Sequence, residues 1–343
     1  LISTLIWKPV HSASLAYGYK KLLTKYALET DKANVGFVDF QGHDFSFRGM
    51  QSPEAAIGSA MGFLTSFKGT DTVPGLQALK YYYNESNTAF SVPASEHSVM
   101  CAHGKEGEIN TLEYLMDQYP TGILSVVSDT WDLWKLLTEY LPQLKDQILT
   151  REGKLVIRPD SGDPVDIICG LPSDKWHRSI SEIPMQKGVI ELLWNTFGGA
   201  INDQGFKVLD SHIGAIYGDS ITLERADDIC KRLKAKGFAS TNIVLGVGSY
   251  SMGYATRDNQ GGAVKSTYVE VNGEAREIFK DPITDDGTKK SAKGLLYVSD
   301  NMILTDQVSW EVESQGMLQT IYKDGVITKE VTLSEIRERI ANN

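Results

Sequence analysis

The chain has 343 residues, 41% of them hydrophobic and 23% charged. At this length folding buries roughly 75% of the unfolded surface, so a large core and more than one structural unit are expected, and neither a marginal module nor a disordered chain fits. Thirty-four basic against 44 acidic residues leave a net charge of -10. That field repels a nucleic-acid backbone but allows a local basic pocket, and no apolar run approaches the ~20 residues of a membrane span. No nucleic acid and no membrane are therefore expected as partners. Cys101, Cys169 and Cys230 are too widely spaced for a disulfide framework or a zinc site, which fits reduced thiols and a cytoplasmic location. The sequence opens at Leu1 without a Met or a basic-then-apolar leader, so it is expected to be the C-terminal portion of a longer enzyme.

Taken in chain order, residues 12–29 set Leu15, Tyr19, Leu22, Leu23 and Tyr26 at helical spacing behind Ser12 and Ser14, which predicts an amphipathic helix with those serines as caps. From 121 to 250, short apolar runs each end in a polar or glycine-containing turn, at Asp129, Gly162, Ser220 and Ser249. The polar ends Asp129, Asp160, Asp219 and Ser249 are 31, 59 and 30 residues apart, close to one, two and one βα repeats of about 30 residues. Val- and Ile-rich runs with helices between them predict parallel strands covered on both faces. A doubly wound sheet would share that pattern. Carboxylates and glycines at the ends of several strands favour a barrel, whose site is assembled from many βα loops.

Beyond about residue 265 the period becomes two. Hairpins are predicted around Asn272-Gly273 and Asp324-Gly325, and a final helix from Thr332, with Glu335 at capping-box spacing. The expected organisation is α/β: a helix-containing segment (1–34) packing with the second domain, an irregular (β/α) barrel (35–262), and a β-rich, partly discontinuous second domain with a C-terminal helix (263–343).

Asp129, Asp160 and Asp219 each follow an apolar strand. Helix capping accounts for any one of them alone, but three on one sheet face suit sugar hydroxyls, a water-bridged Mg2+ or a developing cation. Arg158, near the end of a buried strand, needs a partner: either an ion pair with Asp129 or Asp160, or a planar or anionic ligand. Gly246-Val247-Gly248-Ser249 can cradle a phosphate through backbone N–H groups, with Arg257 and Lys265 supplying charge, although a glycine there is more often just a turn. A lone histidine such as His97 is more often a satisfied structural residue than a base or nucleophile. The residues alone describe a barrel enzyme for an anionic, phosphorylated sugar, with the reaction open.

The stretches HDFSFRG (43–49), FKGTDT (67–72), SVPASEHS (91–98), SVVSD (125–129), IRPDSG (157–162), YGDSI (217–221), TRD (256–258) and FKDP (279–282) resemble those of the type II phosphoribosyltransferase family, its nicotinamide-using members above all. The resemblance spans nearly the whole chain. It implies an irregular α/β barrel with a second, partly discontinuous domain, in a homodimer with active sites at the interface. The implied reaction joins nicotinamide to phosphoribosyl pyrophosphate with Mg2+, giving nicotinamide mononucleotide and pyrophosphate. The resemblance also implies that ATP is coupled through a phosphohistidine. The resemblance places Phe45 on the pyridine ring, Asp71 on the carboxamide N–H, Arg158 on the ring and its carbonyl, with Ser91 and Ser125 nearby, and Arg48 toward the phosphorylated ligand. Asp160, Gly218 and Asp219 would hold the ribose; Gly248, Ser249, Arg257 and Lys265 would take the 5′-phosphate, and Lys280 would come from the other subunit. His97 would be the phosphorylated histidine, beside Asp129. Ser249-Tyr250 stand where a longer glycine run is usual, and Ala263 where a serine is. Nicotinate as the acceptor, or a catalytically incomplete ligand-binding fragment, are the alternatives.

Overall fold

Most of the Val-, Ile- and Leu-rich runs become strands of one parallel sheet in the computed structural model, which describes residues 2–172, 175, 183–283 and 290–342. The strands before residue 260 are β1 (Gly42–Asp44), β2 (Gly69–Thr70), β3 (Thr121–Val127), β4 (Glu152–Arg158), β5 (Gly199–Ile201), β6 (Lys207–Leu209), β7 (Ile213–Tyr217) and β8 (Ile243–Val247). β5 and β6 form a small antiparallel pair, and the other six pair in the order β2-β1-β8-β7-β4-β3, all parallel.

That order is cyclic, since each strand follows its predecessor round the sheet and β8 returns to lie beside β1. The gap between β2 and β3 is filled by the extended segment 90–95. Thr70 N–H donates to Phe90 O (2.9 Å) and Phe90 N–H to Lys68 O (2.8 Å). On the other side Ser125 N–H donates to Pro93 O and Ser95 N–H to Ser125 O, both at 2.9 Å. A doubly wound sheet would leave two open edges; here a seventh, irregular segment joins them, and the expected irregular (β/α) barrel is what forms. On β4, Leu155 and Ile157 are buried in the core under the helices, while Lys154, Val156 and Arg158 alternate with them and line the barrel interior.

The first helix, α1, runs Ile2–Thr30. Ser12 and Ser14 are therefore not its caps but interior residues that donate to Ser59 O (2.6 Å) and Val10 O (2.9 Å). Its Ala16, Tyr19, Leu23, Tyr26 and Ala27 are buried. The Tyr19 hydroxyl donates to Ile221 O (2.7 Å) and that of Tyr26 to Asp227 Oδ1 (2.8 Å).

Contacts divide the chain into a barrel unit, Leu5–Gln260 with Thr332–Asn343, and a second, discontinuous unit, Leu1–Thr4 with Gly261–Val331. This differs from the expected division at 34/35 and 262/263. Most of α1 joins the barrel because its apolar stripe packs there, and so does the last helix, Leu333–Ala341, through the fully buried Leu333. That helix starts as expected: Thr332 N–H donates to Glu335 Oε2 (2.7 Å) and Glu335 N–H to Thr332 Oγ1 (3.2 Å).

The second unit holds three antiparallel pairs: β9 (Tyr268–Val271) with β10 (Glu274–Glu277), β11 (Tyr297–Val298) with β12 (Leu304–Thr305), and β13 (Tyr322–Lys323) with β14 (Val326–Ile327). Asn272-Gly273 (φ 52° and 81°) and Asp324-Gly325 (φ 51° and 86°) make the two predicted turns, since a type I′ turn requires positive φ at both central residues. Among its described residues no hydrophobic side chain is buried. No helix of the described residues is long and apolar enough to cross a membrane.

Candidate active site

In a parallel barrel every strand ends on the same rim, so residues just past strand C-termini converge there whatever their sequence separation. Phe45 follows β1, Asp71 follows β2, Asp129 stands two residues past β3 and Asp160 two past β4; Gly218 and Asp219 follow β7, and Gly248 and Ser249 follow β8.

A cavity of about 400 Å³ opens from this rim into the barrel, and Phe45, Asp71, Ser91, Ser125, Arg158 and His43 all line it. Asp71 is its anchor. The Ser91 hydroxyl donates to Asp71 Oδ1 at 2.6 Å, and His43 Nε2 lies 2.8 Å from the same oxygen. A carboxylate can only accept, so that His43 nitrogen carries the proton. Both bonds fall on Oδ1, leaving Oδ2 for a donor in the cavity. Burial by itself would raise the Asp71 carboxyl, but the hydrogen bond and charge of His43, the Ser91 hydroxyl and the Arg158 charge together hold it below its ordinary value. Asp71 is thus an anion facing an otherwise largely apolar cavity.

Phe45 forms the adjoining wall, its ring 4.9 Å from that of His43 and under the Arg158 guanidinium at 5.8 Å. It rests on glycine: a Cβ at Gly246 would stand 2.3 Å from Phe45 Cδ2, and one at Gly218 2.9 Å from Cε2. Arg158 forms no ion pair within 4 Å among the described residues, and its Nε is buried without a hydrogen bond. The structural alternative for this arginine, a pair with Asp129 or Asp160, is not what is built. The donors remain for a ligand.

The capping alternative for the three aspartates also fails. The following helices are capped by Asp132, Asp163 and Thr222, in each case three residues further on. Asp129, Asp160 and Asp219 are left to the rim, where their charges, after burial itself, push the Tyr217 hydroxyl far up. Asp129 is the organiser: Oδ2 accepts from Asp160 N–H (3.0 Å) and from the Ser161 hydroxyl, while Oδ1 lies 3.3 Å from His97 Nε2. The aspartate side chain is 6% exposed and the histidine 48%.

The anion-binding residues are less closely gathered. Arg48 is exposed on the turn Phe47–Gly49, which packs on Ser249 so tightly that a Cβ at Gly49 would meet Ser249 Oγ at 2.0 Å. Ser249 opens the short helix Ser249–Met252 with Gly248 as its cap residue. Arg257, in the barrel unit, pairs with Asp258. Lys265 and Lys280 belong to the second unit.

No group of three or more His, Cys, Asp or Glu side chains suited to a metal ion exists among the described residues. Asp160 and Asp219 supply carboxylates without a cage, a donor set that fits Mg2+ held by one or two carboxylates, its own waters and a substrate's phosphates.

His43 and Asp44 were not foreseen in the sequence. Period-two alternation puts His43 on the face of Phe45 and was a usable signal. Asp44, fully buried, accepts from Ser46 N–H (2.9 Å), the Ser46 hydroxyl (2.7 Å) and the Thr70 hydroxyl (3.2 Å), fixing the turn that aims Phe45.

Residues 40–326 match the model of the nicotinate phosphoribosyltransferase (NAPRTase) family. Curated relatives called nicotinamide phosphoribosyltransferase include that of Acinetobacter baylyi, 49% identical over 99% of this chain and 68% of its own length. That of Mycoplasma pneumoniae is 43% identical over 84% of this chain and 60% of its own length, and that of Xanthomonas campestris pv. campestris 31% over 97% and 69%. The chain thus spans about two thirds of the length of these relatives.

Proposed function

The chain belongs to the nicotinate phosphoribosyltransferase family, and from that premise we propose that it transfers the phosphoribosyl group of phosphoribosyl pyrophosphate to nicotinamide, giving nicotinamide mononucleotide and pyrophosphate in NAD salvage. The observation that carries the choice of acceptor is the Asp71 carboxylate, saturated on Oδ1 by His43 and Ser91 and open on Oδ2. An anion there accepts from a carboxamide N–H and repels the carboxylate of nicotinate. The family's own description favours nicotinate as a second reading, and Asp71 is the reason it ranks behind.

The pyridine ring stacks on Phe45, and Arg158 donates to the carboxamide oxygen. The ring nitrogen has a free lone pair, so no base is needed. That lone pair attacks C1′ of the ribose, the C1′–oxygen bond breaks, and its electrons leave with pyrophosphate; no proton moves. The residues' work is electrostatic, with Asp160 and Asp219 at the ribose opposing the charge that develops on it. Arg48, Ser249 and Arg257 of the barrel unit hold phosphate, with Lys280 from the partner subunit of a homodimer. Mg2+, when bound, neutralises the departing pyrophosphate.

His97 is the residue phosphorylated from ATP. Asp129 accepts from its Nε2–H, which leaves the Nδ1 lone pair as the nucleophile. Attack on the γ-phosphorus breaks the bond to ADP, which departs with the electron pair.

The test is to incubate the purified chain with nicotinamide, phosphoribosyl pyrophosphate and Mg2+ and to measure nicotinamide mononucleotide. Product formation is expected. Absence of product with retained mononucleotide binding would instead identify a ligand-binding fragment.

A further inference from the structure

The C-terminal helix Leu333–Ala341 returns to the barrel after the second unit of the chain. Near its start Ser334 gives its N–H (2.7 Å) and hydroxyl (2.9 Å) to the Glu85 carboxylate. One turn on, the half-buried Arg337 points inward. Its Nε and Nη2 donate to Leu64 O (3.0 and 2.8 Å), and Nη2 also donates to Phe67 O (3.0 Å) and Thr88 O (3.1 Å). Burial pushes the guanidinium down in pKa, against the charges of Asp39 and Glu85.

These carbonyls head the two segments that form one wall of the cavity. Four residues after Phe67 comes Asp71, and three residues after Thr88 comes Ser91. Between them the segments share the Phe90–Lys68 and Thr70–Phe90 backbone bonds, and at the far end Ser91 meets Asp71 at 2.6 Å. β2 is only two residues long and lies at the end of the sheet order, so its own ladder holds it weakly. Charge-assisted bonds from a planar, rigid fork to both segments fix their offset. A slip of a few tenths of an ångström there would be carried along extended backbone to the Ser91–Asp71 bond.

We propose that Arg337 is a positioning residue for acceptor recognition: from the last helix of the chain it sets the register of segments 67–71 and 88–91, and thereby the geometry of the Asp71–Ser91 pair that receives the carboxamide. The inference rests on the reading that this end of the cavity holds nicotinamide.

The experiment compares steady-state kinetics of the parent chain with those of Arg337→Met, which keeps the stem and loses every donor, and Arg337→Lys, which keeps the charge but loses the fork. Arg337→Met is expected to raise the KM for nicotinamide about tenfold while leaving the KM for phosphoribosyl pyrophosphate within twofold, and Arg337→Lys to recover part of the loss. A helix that only stabilises the fold would lower the active fraction and leave both KM values unchanged, and that result overturns the proposal, as does a parallel rise of both. If Arg337→Met does not fold, Arg337→Lys decides: a selective rise of about threefold supports the assignment and an unchanged nicotinamide KM overturns it. A parent chain that makes no mononucleotide instead refutes the function on which the inference stands.

Discussion

Phe45 can lie where it does only because strand β8 offers it a glycine. Placing a methyl at position 246 puts carbon 2.3 Å from Phe45 Cδ2, 2.5 Å from Cε2 and 2.9 Å from the Gly218 Cα. Ordinary carbon contacts fall near 3.5–4.0 Å, so in Gly246→Ala the ring must retreat by more than about 1 Å. Gly218 and β7 block retreat on one side, so the ring moves into the cavity. Overpacking of this kind costs about 1–3 kcal/mol of stability. A shift of that size also forfeits much of the stacking with a planar ligand, worth about 1 kcal/mol. The nicotinamide KM should therefore rise roughly five- to tenfold, with the melting temperature falling by a few degrees. The assay is mononucleotide formation at varied nicotinamide concentration, with Gly36→Ala as the control, because a Cβ there meets nothing within 4 Å. Adding Phe45→Leu to Gly246→Ala should restore the melting temperature without restoring the KM, since the clash goes but the platform does not return. A nicotinamide KM within twofold of the parent in a folded Gly246→Ala chain would refute both the packing argument and the placement of the acceptor on Phe45.

Asp71→Asn removes the anion while keeping its shape. Its nicotinate-to-nicotinamide kcat/KM ratio should rise at least tenfold, and an unchanged ratio measured with the two acceptors in competition would eliminate Asp71 as the discriminator. Incubation with labelled ATP should leave acid-labile phosphate on the chain, lost in His97→Ala and reduced in Asp129→Asn; equal labelling of His97→Ala would place the phosphate elsewhere. Glu108 is 2% exposed, its Oε1 has no hydrogen-bond partner, and burial followed by the charges of Asp132 and Asp129 pushes its carboxyl up to about 7. A carboxyl raised on folding favours the folded state most below its unfolded value, here about 4.5, and that stability is lost as pH rises through the folded value. Glu108→Gln should hence gain over the parent between pH 5 and pH 8, by at most about 3 kcal/mol from the size of the rise, in urea unfolding at the two pH values; an equal difference at both would show that Glu108 is not held protonated.

Local chemistry was legible in the sequence wherever a few neighbouring residues decide the outcome. Asn272-Gly273 and Asp324-Gly325 specify their turns by tolerating positive φ, Thr332 and Glu335 specify a helix start, and the Val- and Ile-rich runs ending at Asp129, Gly162, Ser220 and Ser249 specify parallel strands. The motifs that carry the family resemblance lie largely at those strand ends, which is why much of the candidate site could be named in advance. Only the tertiary structure settled what depends on partners far apart in the chain. It closed the ring with residues 90–95, which have no strand pattern of their own and take their shape from the two edges they join. By placing Asp132, Asp163 and Thr222 as the caps, it released Asp129, Asp160 and Asp219 from that role. It also drew α1 onto the barrel and brought His43 and Ser91, 28 and 20 residues from Asp71, to one oxygen of its carboxylate. Hydrophobic period and turn propensity act over a handful of residues; register between strands is fixed by the packing of the whole barrel, and the geometry of the site is a matter of register.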